Sequence, residues 1–280
     1  MAIKRYTANA DNSITNAFQS NLQTRGTGSN AGAADVLETF SIYGQKSSGS
    51  SELSRILVQF PISDISSDRT AGTIPASGSV NFFLNLYNAP HSTTLPRDFK
   101  LTVNAINGTW EEGYGLDLDN YTDLTYDKIG SNWIRKAGST SWTTAGGDIY
   151  TDSSSSFEQS FPIGTEDLSV DITTLVEQWI DSGGNILGSK TNNGVLVKLS
   201  ASYEATSSTN LEGAVVSYYT KKFFARGSEF YFDRPTLEAR WDSTLKDQRG
   251  NFYFSSSLAP AADNLNTINI LFQHPSSILS

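Results

Sequence analysis

One stretch constrains the fold more than any other. It is Thr165–Ser200, TEDLSVDITTLVEQWIDSGGNILGSKTNNGVLVKLS. Ser169 to Ile172 reads as a short strand, and Thr174 with Glu177 three residues later is a capping-box pattern. Leu175, Val176, Trp179 and Ile180 repeat at helical spacing. Ser182 to Asn185 stop the helix, Asn193-Gly194 signals a turn, and Val195, Val197 and Leu199 alternate as a strand. A lone short helix inside a chain otherwise written as strands predicts a lid at one end of a β-sandwich. Its apolar stripe then plugs the gap between the two sheets.

The flanking sequence supplies the strands. They are predicted near Ser13–Ala17, Val36–Tyr43, Arg55–Ile62 (RILVQFPI), Val80–Tyr87, Phe99–Ile106, Val215–Phe224, Glu229–Phe232 and Leu237–Trp241. Val80–Tyr87 alternates most cleanly, and with Phe99–Ile106 it reads as an antiparallel pair joined by a loop. Ser47–Ser54, Asp64–Ser79 and the serine run Ser153–Ser156 read as loops. The expected fold is all-β: an antiparallel, jelly-roll-like sandwich with one short helix, over residues 1–242. Phe60, Phe82, Leu84, Trp179 and Trp241 are its expected core. Residues 243–280 are an irregular C-terminal extension. It is polar but carries Phe252, Tyr253, Phe254, Leu265, Ile268, Ile270, Leu271 and Phe272, which reads as a docking arm or the start of a truncated second module.

Composition removes several function classes. There is no cysteine, so disulfides, thiolate metal sites and cysteine nucleophiles are excluded. Twenty basic against 29 acidic residues give a net charge of −9, which disfavours nucleic-acid binding. No apolar run approaches the roughly 18 residues of a membrane span. The opening MAIKRYTANADNSIT lacks the apolar core of a secretory signal, so synthesis in the cytosol is expected. Acid is concentrated in Asp148–Asp181, with eight carboxylates and no Lys or Arg, whereas Thr220–Arg249 carries seven basic and five acidic residues. These are two differently solvated faces, or complementary patches between subunits.

Chemistry-bearing residues are sparse. Only His91 and His274 are histidines, and His91 with Tyr87 is the one pairing suited to proton abstraction. Glu111 and Glu112 follow Trp110, but neighbours on extended chain point to opposite sides and do not flank one sugar bond. Asp117, Asp119, Asp123 and Asp127 are candidate calcium ligands, without the Gly and closing Glu of an EF-hand. No G-x-S-x-G elbow or phosphate loop occurs. No catalytic residue and no cofactor is therefore expected. Trp179 and Trp241 fall on core faces, whereas Trp133 and Trp142 sit in loops and are freer to meet a sugar, although a large loop aromatic most often covers the core.

The order of the pieces resembles the DNRLRE modules, β-sandwich modules related to disaggregatase. The likeness rests on Asn30 and Gly32, on RILVQF, on Trp110-Glu111, on DITTLVEQW (Asp171–Trp179), on Asn193-Gly194 and on KKFFARGSEFYFDRPTLEARW ending at Trp241. Tyr126 stands where these modules usually have a second Trp, and the insertion Ser200–Gly213 is long. The segments SYYTKKFFARGSEFYFDRPTLEARWD and RGNFYFSSSLAPAADNLNT look like virion structural proteins of tailed phages from marine water, including cyanophages. That resemblance implies a non-enzymatic component of the neck, tail or head exterior, contacting other virion proteins and copies of itself. It implies assembly in the host cytoplasm, where neither export signals nor disulfides are expected. The alternative is a carbohydrate- or cell-surface-binding module.

Overall fold

The computed structural model describes residues 1–45, 50–91, 95–117, 130–181, 188–204, 214 and 217–243. Ala2–Trp241 forms one compact unit. Met1 and Asp242–Ser280 form another, of which only Met1, Asp242 and Ser243 are described. The expectations placed on residues 244–280 therefore lie outside the described residues.

The elements run β1 (Ala2–Thr7), β2 (Ala10–Thr15), β3 (Val36–Gln45), β4 (Ser50–Gln59), α1 (Ile62–Thr70), β5 (Asn81–Leu86), β6 (Phe99–Ala105), β7 (Arg135–Ala137) and β8 (Thr140–Ser141). They continue with β9 (Ser156–Phe161), β10 (Leu168–Asp171), α2 (Thr173–Ile180), β11 (Val195–Leu199), β12 (Tyr218–Phe224) and β13 (Thr236–Trp241). The result is all-β, antiparallel and sandwich-like. One sheet has four strands in the order β1-β13-β5-β10. The other has seven, in the order β12-β3-β4-β11-β6-β9, with β2 also paired to β4. β7 and β8 form a small separate hairpin.

The principal core lies between the two large sheets. Phe82, Leu84 and Leu86 of β5 meet Ile56, Val58, Phe60, Leu101, Val103, Val195 and Val197 from the larger sheet. Register fixes these faces: Val195 lies opposite Val58 on one side and Ala105 on the other. The alternation of β4, however, hides a second face. Leu53 and Leu57 point away from the principal core, with Ile14 of β2 and Leu196 of β11. They meet Ile106, Trp110, Trp133 and Trp142, which lie in or beside the excursion 106–150. The larger sheet is thus buried on both sides, and RILVQF is nearly continuous in apolar residues for that reason.

The helix α2 closes the sandwich as its sequence predicts. Leu175, Val176 and Trp179 enter the principal core beside residues of both sheets. Its start differs from the expected capping box. The Asp171 carboxylate accepts the backbone N–H of Thr173 at 2.9 Å and also the Thr173 hydroxyl. Glu177 turns instead to Arg69, which donates from both terminal nitrogens at 2.6 Å.

Arg69 belongs to the second helix, α1, which replaces the expected polar connection and corrects the reading of a single helix. Its polar composition hid it: only Ile62 and Ile65 are buried apolar residues, and its other residues are polar. The two helices form a double lid, clamped by a bidentate ion pair whose side chains are both about 10% exposed.

Other expectations are corrected. The strands predicted at Val80–Tyr87 and Phe99–Ile106 do not pair, because β5 and β6 belong to different sheets. β1 went unpredicted, since only Tyr6 of its six residues is buried. β4 begins at Ser50, inside the expected loop. Ser153–Ser156 is no free tip: Ser155 is fully buried, its N–H donates to the Asp152 carbonyl at 3.0 Å, and Ser156 opens β9. Glu229–Phe232 is not a strand but a bend ending in a short 3-10 turn, Tyr231–Asp233. Phe60, Phe82, Leu84 and Trp179 are buried, whereas Trp241 is only partly so, at the end of β13 against the core rim.

Replacing the ring that fills the inter-sheet gap tests this packing. Trp179→Ala is expected to lower unfolding free energy by about 3–5 kcal/mol in urea melts. A loss under about 1 kcal/mol would place the ring outside the core.

Candidate functional site

The excursion over the larger sheet gathers most of the residues singled out above. It is anchored by buried amides. Asn12 donates its side-chain N–H to the Ser131 carbonyl at 2.9 Å and accepts from the Ala31 N–H. Asn30 donates to the carbonyls of Glu112 and Ser131, both at 2.8 Å, and accepts from the N–H groups of Gly32 and Gly115. Backbone packs so close around Asn30 that a Cβ on Gly113 would lie 2.5 Å from its oxygen. Gly113 also has φ +78°, which any other residue adopts only under strain. This is the physical content of the Asn30-x-Gly32 pattern: an amide locking a loop to the sheet.

Glu111 and Glu112 diverge, as extended chain requires. Glu111 is held by its backbone alone, donating to Lys136 and accepting from Ser131, with its side chain exposed. Glu112 takes both guanidinium contacts of Arg226, at 3.0 and 2.7 Å, and the Asp11 N–H at 2.8 Å. Its carboxylate ties the excursion to the chain beyond β12. Asp11 sits beside this pair. Burial pushes its carboxyl up to about 7, against a hydrogen bond from the Arg226 N–H and with help from the charge of Glu112.

Of the calcium candidates, Asp117 is 2% exposed, and its carboxylate faces the Asn30 N–H at 3.4 Å. Asp119, Asp123 and Asp127 lie outside the described residues. Among the described residues no three acidic or histidine side chains converge on a point fit for a metal.

His91 is not joined to Tyr87. Its Nε2 lies 3.0 Å from Asn88 Oδ1 and 3.3 Å from the Lys222 backbone nitrogen. Burial, then the charges of Lys221 and Lys222, lower its pKa to about 4, so the ring is neutral at physiological pH. His274 lies outside the described residues.

Trp133 and Trp142 cover the core, as large loop aromatics most often do, and are 6% and 5% exposed. Trp142 Nε1 donates to the Asn132 carbonyl at 2.9 Å, and the Arg55 guanidinium lies 5.1 Å over the Trp133 ring. Arg55 also pairs with Glu204 through two nitrogens, at 3.1 and 3.0 Å. Burial works against the Glu204 carboxylate, but Arg55 and Lys198 outweigh it and hold its pKa below the ordinary range. These groups floor a cleft of about 840 Å³ rimmed by Asn107, Lys136 and Thr143. Its charges are largely spent on one another, and the Trp133 face is covered by Arg55.

The exposed apolar chemistry lies elsewhere, where β12 turns into β13. Phe230, Tyr231 and Phe232 are 54%, 61% and 78% exposed. The bend presenting them is fixed by its own bonds. Phe230 N–H donates to Ser228 Oγ at 3.2 Å, Asp233 N–H to the Phe230 carbonyl at 3.0 Å, and Arg234 Nε to the Ser228 carbonyl at 2.9 Å. The rings brace one another, Phe230 against Phe224 at 5.4 Å and Tyr231 edge-on to Phe232 at 5.6 Å. Three consecutive large apolar residues are thus held in water on a hydrogen-bonded turn. The signal was present in the sequence: FYF does not alternate, so it does not fit a strand with one wet face.

Asp11 yields a test of the anchor's electrostatics. A carboxyl whose folded pKa stands above its unfolded value stabilises the fold while protonated, and that contribution is lost as pH rises from about 4 through about 7. Asp11→Asn is expected to flatten this part of the stability–pH curve and to raise the melting temperature at pH 8 relative to the parent. An unchanged curve would mean that Asp11 is ionised at little cost where it sits.

No family model and no curated protein matches this chain. The resemblance to DNRLRE modules and to virion proteins therefore stands on the residues quoted for it.

Proposed function

We propose that this chain is a non-enzymatic structural protein of a tailed-phage virion, a β-sandwich that works through protein–protein contacts at the neck, tail or head exterior. The observation that carries this reading is the rigid exposed triplet Phe230, Tyr231 and Phe232. It lies within the segment SYYTKKFFARGSEFYFDRPTLEARWD, on which the likeness to virion proteins rests. Aromatic side chains bury large area at low entropic cost, so they are effective anchors for a partner protein. Of the carboxylates weighed for chemistry, Glu112 supports the same reading, being occupied in anchoring by Arg226.

A second reading, a glycan-binding module, draws on the same rings. Tyr231 and Phe232 offer faces on which a sugar can stack.

One variant separates the two. Replacing Phe230, Tyr231 and Phe232 together with Ser is expected to change stability by no more than about 1 kcal/mol, because the rings are mostly solvated. Incorporation into particles, read by immunoblotting purified virions, is expected to fall at least tenfold. Normal incorporation with loss of binding on a glycan array would favour the second reading. Normal incorporation with no glycan bound by the parent would remove this surface from either role.

A further inference from the structure

The charges that floor the cleft on the larger sheet do not cancel. Among the described residues, Arg55, Lys136 and Lys198 line it with two carboxylates, Asp148 and Glu204. Arg55 of β4 and Lys198 of β11 lie next to the opposed pair Ile56 and Val197 on neighbouring strands. Like charges so placed on one sheet face repel. Both turn to the same carboxylate. Arg55 donates to Glu204 Oε1 and Oε2 at 3.1 and 3.0 Å, and Lys198 Nζ donates to Oε2 at 3.3 Å. The side chains of Arg55 and Lys198 are each 14% exposed, and that of Glu204 is 4% exposed. One buried carboxylate therefore serves two largely buried cations, and one positive charge is left to be matched.

The second carboxylate does not supply the match. Asp148 is turned to the chain: its Oδ1 accepts the Thr144 N–H at 2.8 Å and its Oδ2 the Thr143 N–H at 2.9 Å. Lys136 forms no ion pair among the described residues. Burial holds the Lys198 pKa below the ordinary lysine range, with the Arg55 charge acting the same way and Glu204 against it. Donors remain for a ligand. Of the five N–H groups of the Arg55 guanidinium three are bonded, two to Glu204 and one to the Gly146 carbonyl at 2.8 Å.

We propose that this cleft binds an acidic sugar, its carboxylate or sulfate held by Lys198, Arg55 and Lys136. The anion supplies the missing counter-charge in a chain whose own net charge is −9. The cleft volume of about 840 Å³ falls within the roughly 300–1,000 Å³ of small-molecule sites and far exceeds what an inorganic ion fills. Asn107, Thr143, Thr144 and Thr151 are exposed along it, neutral hydrogen-bonding side chains suited to ring hydroxyls. Trp133 is the one aromatic residue lining the cleft among the described residues, and Arg55 covers its ring. No face is thus open for a nucleotide base to stack on. The site does not include Phe230, Tyr231 and Phe232 and depends on neither reading of those rings.

Calorimetric titration of the full chain with three disaccharides tests this: one carrying glucuronate, one carrying a sulfate ester, and a neutral one of the same size. An acidic disaccharide is expected to bind about tenfold more tightly than the neutral one, and added salt is expected to shrink the difference. The acidic disaccharide that binds identifies the anion. Lys136→Ala is expected to weaken this binding about fivefold at an unchanged melting temperature, since Lys136 has no ion pair to lose. Lys198→Met is expected to weaken it further. Replacing Phe230, Tyr231 and Phe232 together with Ser is expected to leave it unchanged, which separates this site from the exposed rings. Equal affinity for acidic and neutral disaccharides, or no binding at about 10 mM, overturns the proposal. So does inorganic sulfate that binds as tightly as either acidic disaccharide. Binding that Lys136→Ala leaves intact overturns it as well, and that variant decides even where Lys198→Met fails to fold.

Discussion

The seven-stranded sheet is apolar on both faces, and the rest of the molecule follows from the need to cover it twice. Its inner face is covered by the four-stranded sheet and by the lid helices. Among the described residues the outer face meets no further large sheet, only the small β7–β8 hairpin and loops. It is covered by an excursion with little regular structure, whose apolar content is concentrated in Trp110, Trp133 and Trp142. Large rings suit this task, because one indole covers the area of several aliphatic side chains and needs only one polar bond for its N–H. Trp110 Nε1 finds the Asn193 carbonyl at 2.7 Å, and Trp142 finds Asn132.

A layer without its own hydrogen-bonded ladder must satisfy its backbone groups in other ways. Here side-chain amides take that role. Asn12 and Asn30 both reach the carbonyl of Ser131, and Asn132 receives the backbone N–H groups of Ile134 and Arg135. Gly113 and Gly130 stand so close to Asn30 that any side chain would collide with its amide. The glycines and the asparagine are therefore one device, and the Arg226–Glu112 pair closes it toward β13. Glu112 and Asp117, which looked suited to hydrolysis and metal binding, are among the groups that hold this loop layer down.

Much of this architecture can be read from the chain, and the failures have physical causes. Strands with one buried face were legible in β5 and β6 from their alternation. Their partners were not, because adjacency in sequence does not show a change of sheet. The helix α2 was legible from Leu175, Val176 and Trp179, whereas α1 was not, since two buried isoleucines in nine residues leave no apolar stripe. Trp133 and Trp142 read as loop aromatics covering some part of the core, but their Gly- and Ser-rich flanks did not show which part, although the second face of β4 already required a cover. Lys221 gave no local sign of burial. Its neighbours Thr220 and Lys222 are polar, and only the pairing of β12 with β3 sets its side chain inward.

The pairing of β1 with β13 has a consequence for how the chain reaches this state. β13 lies inside the four-stranded sheet, between β1 and β5, although it is the last strand in sequence among the described residues. During synthesis β1 therefore emerges first and has no partner until residues 236–241 leave the ribosome. Over the same interval β5 keeps one open edge and half of the principal core lacks its wall. Closure is a single late event that spans nearly the whole sandwich, the kind of long-range step that makes β folds slow and leaves unpaired edges open to aggregation.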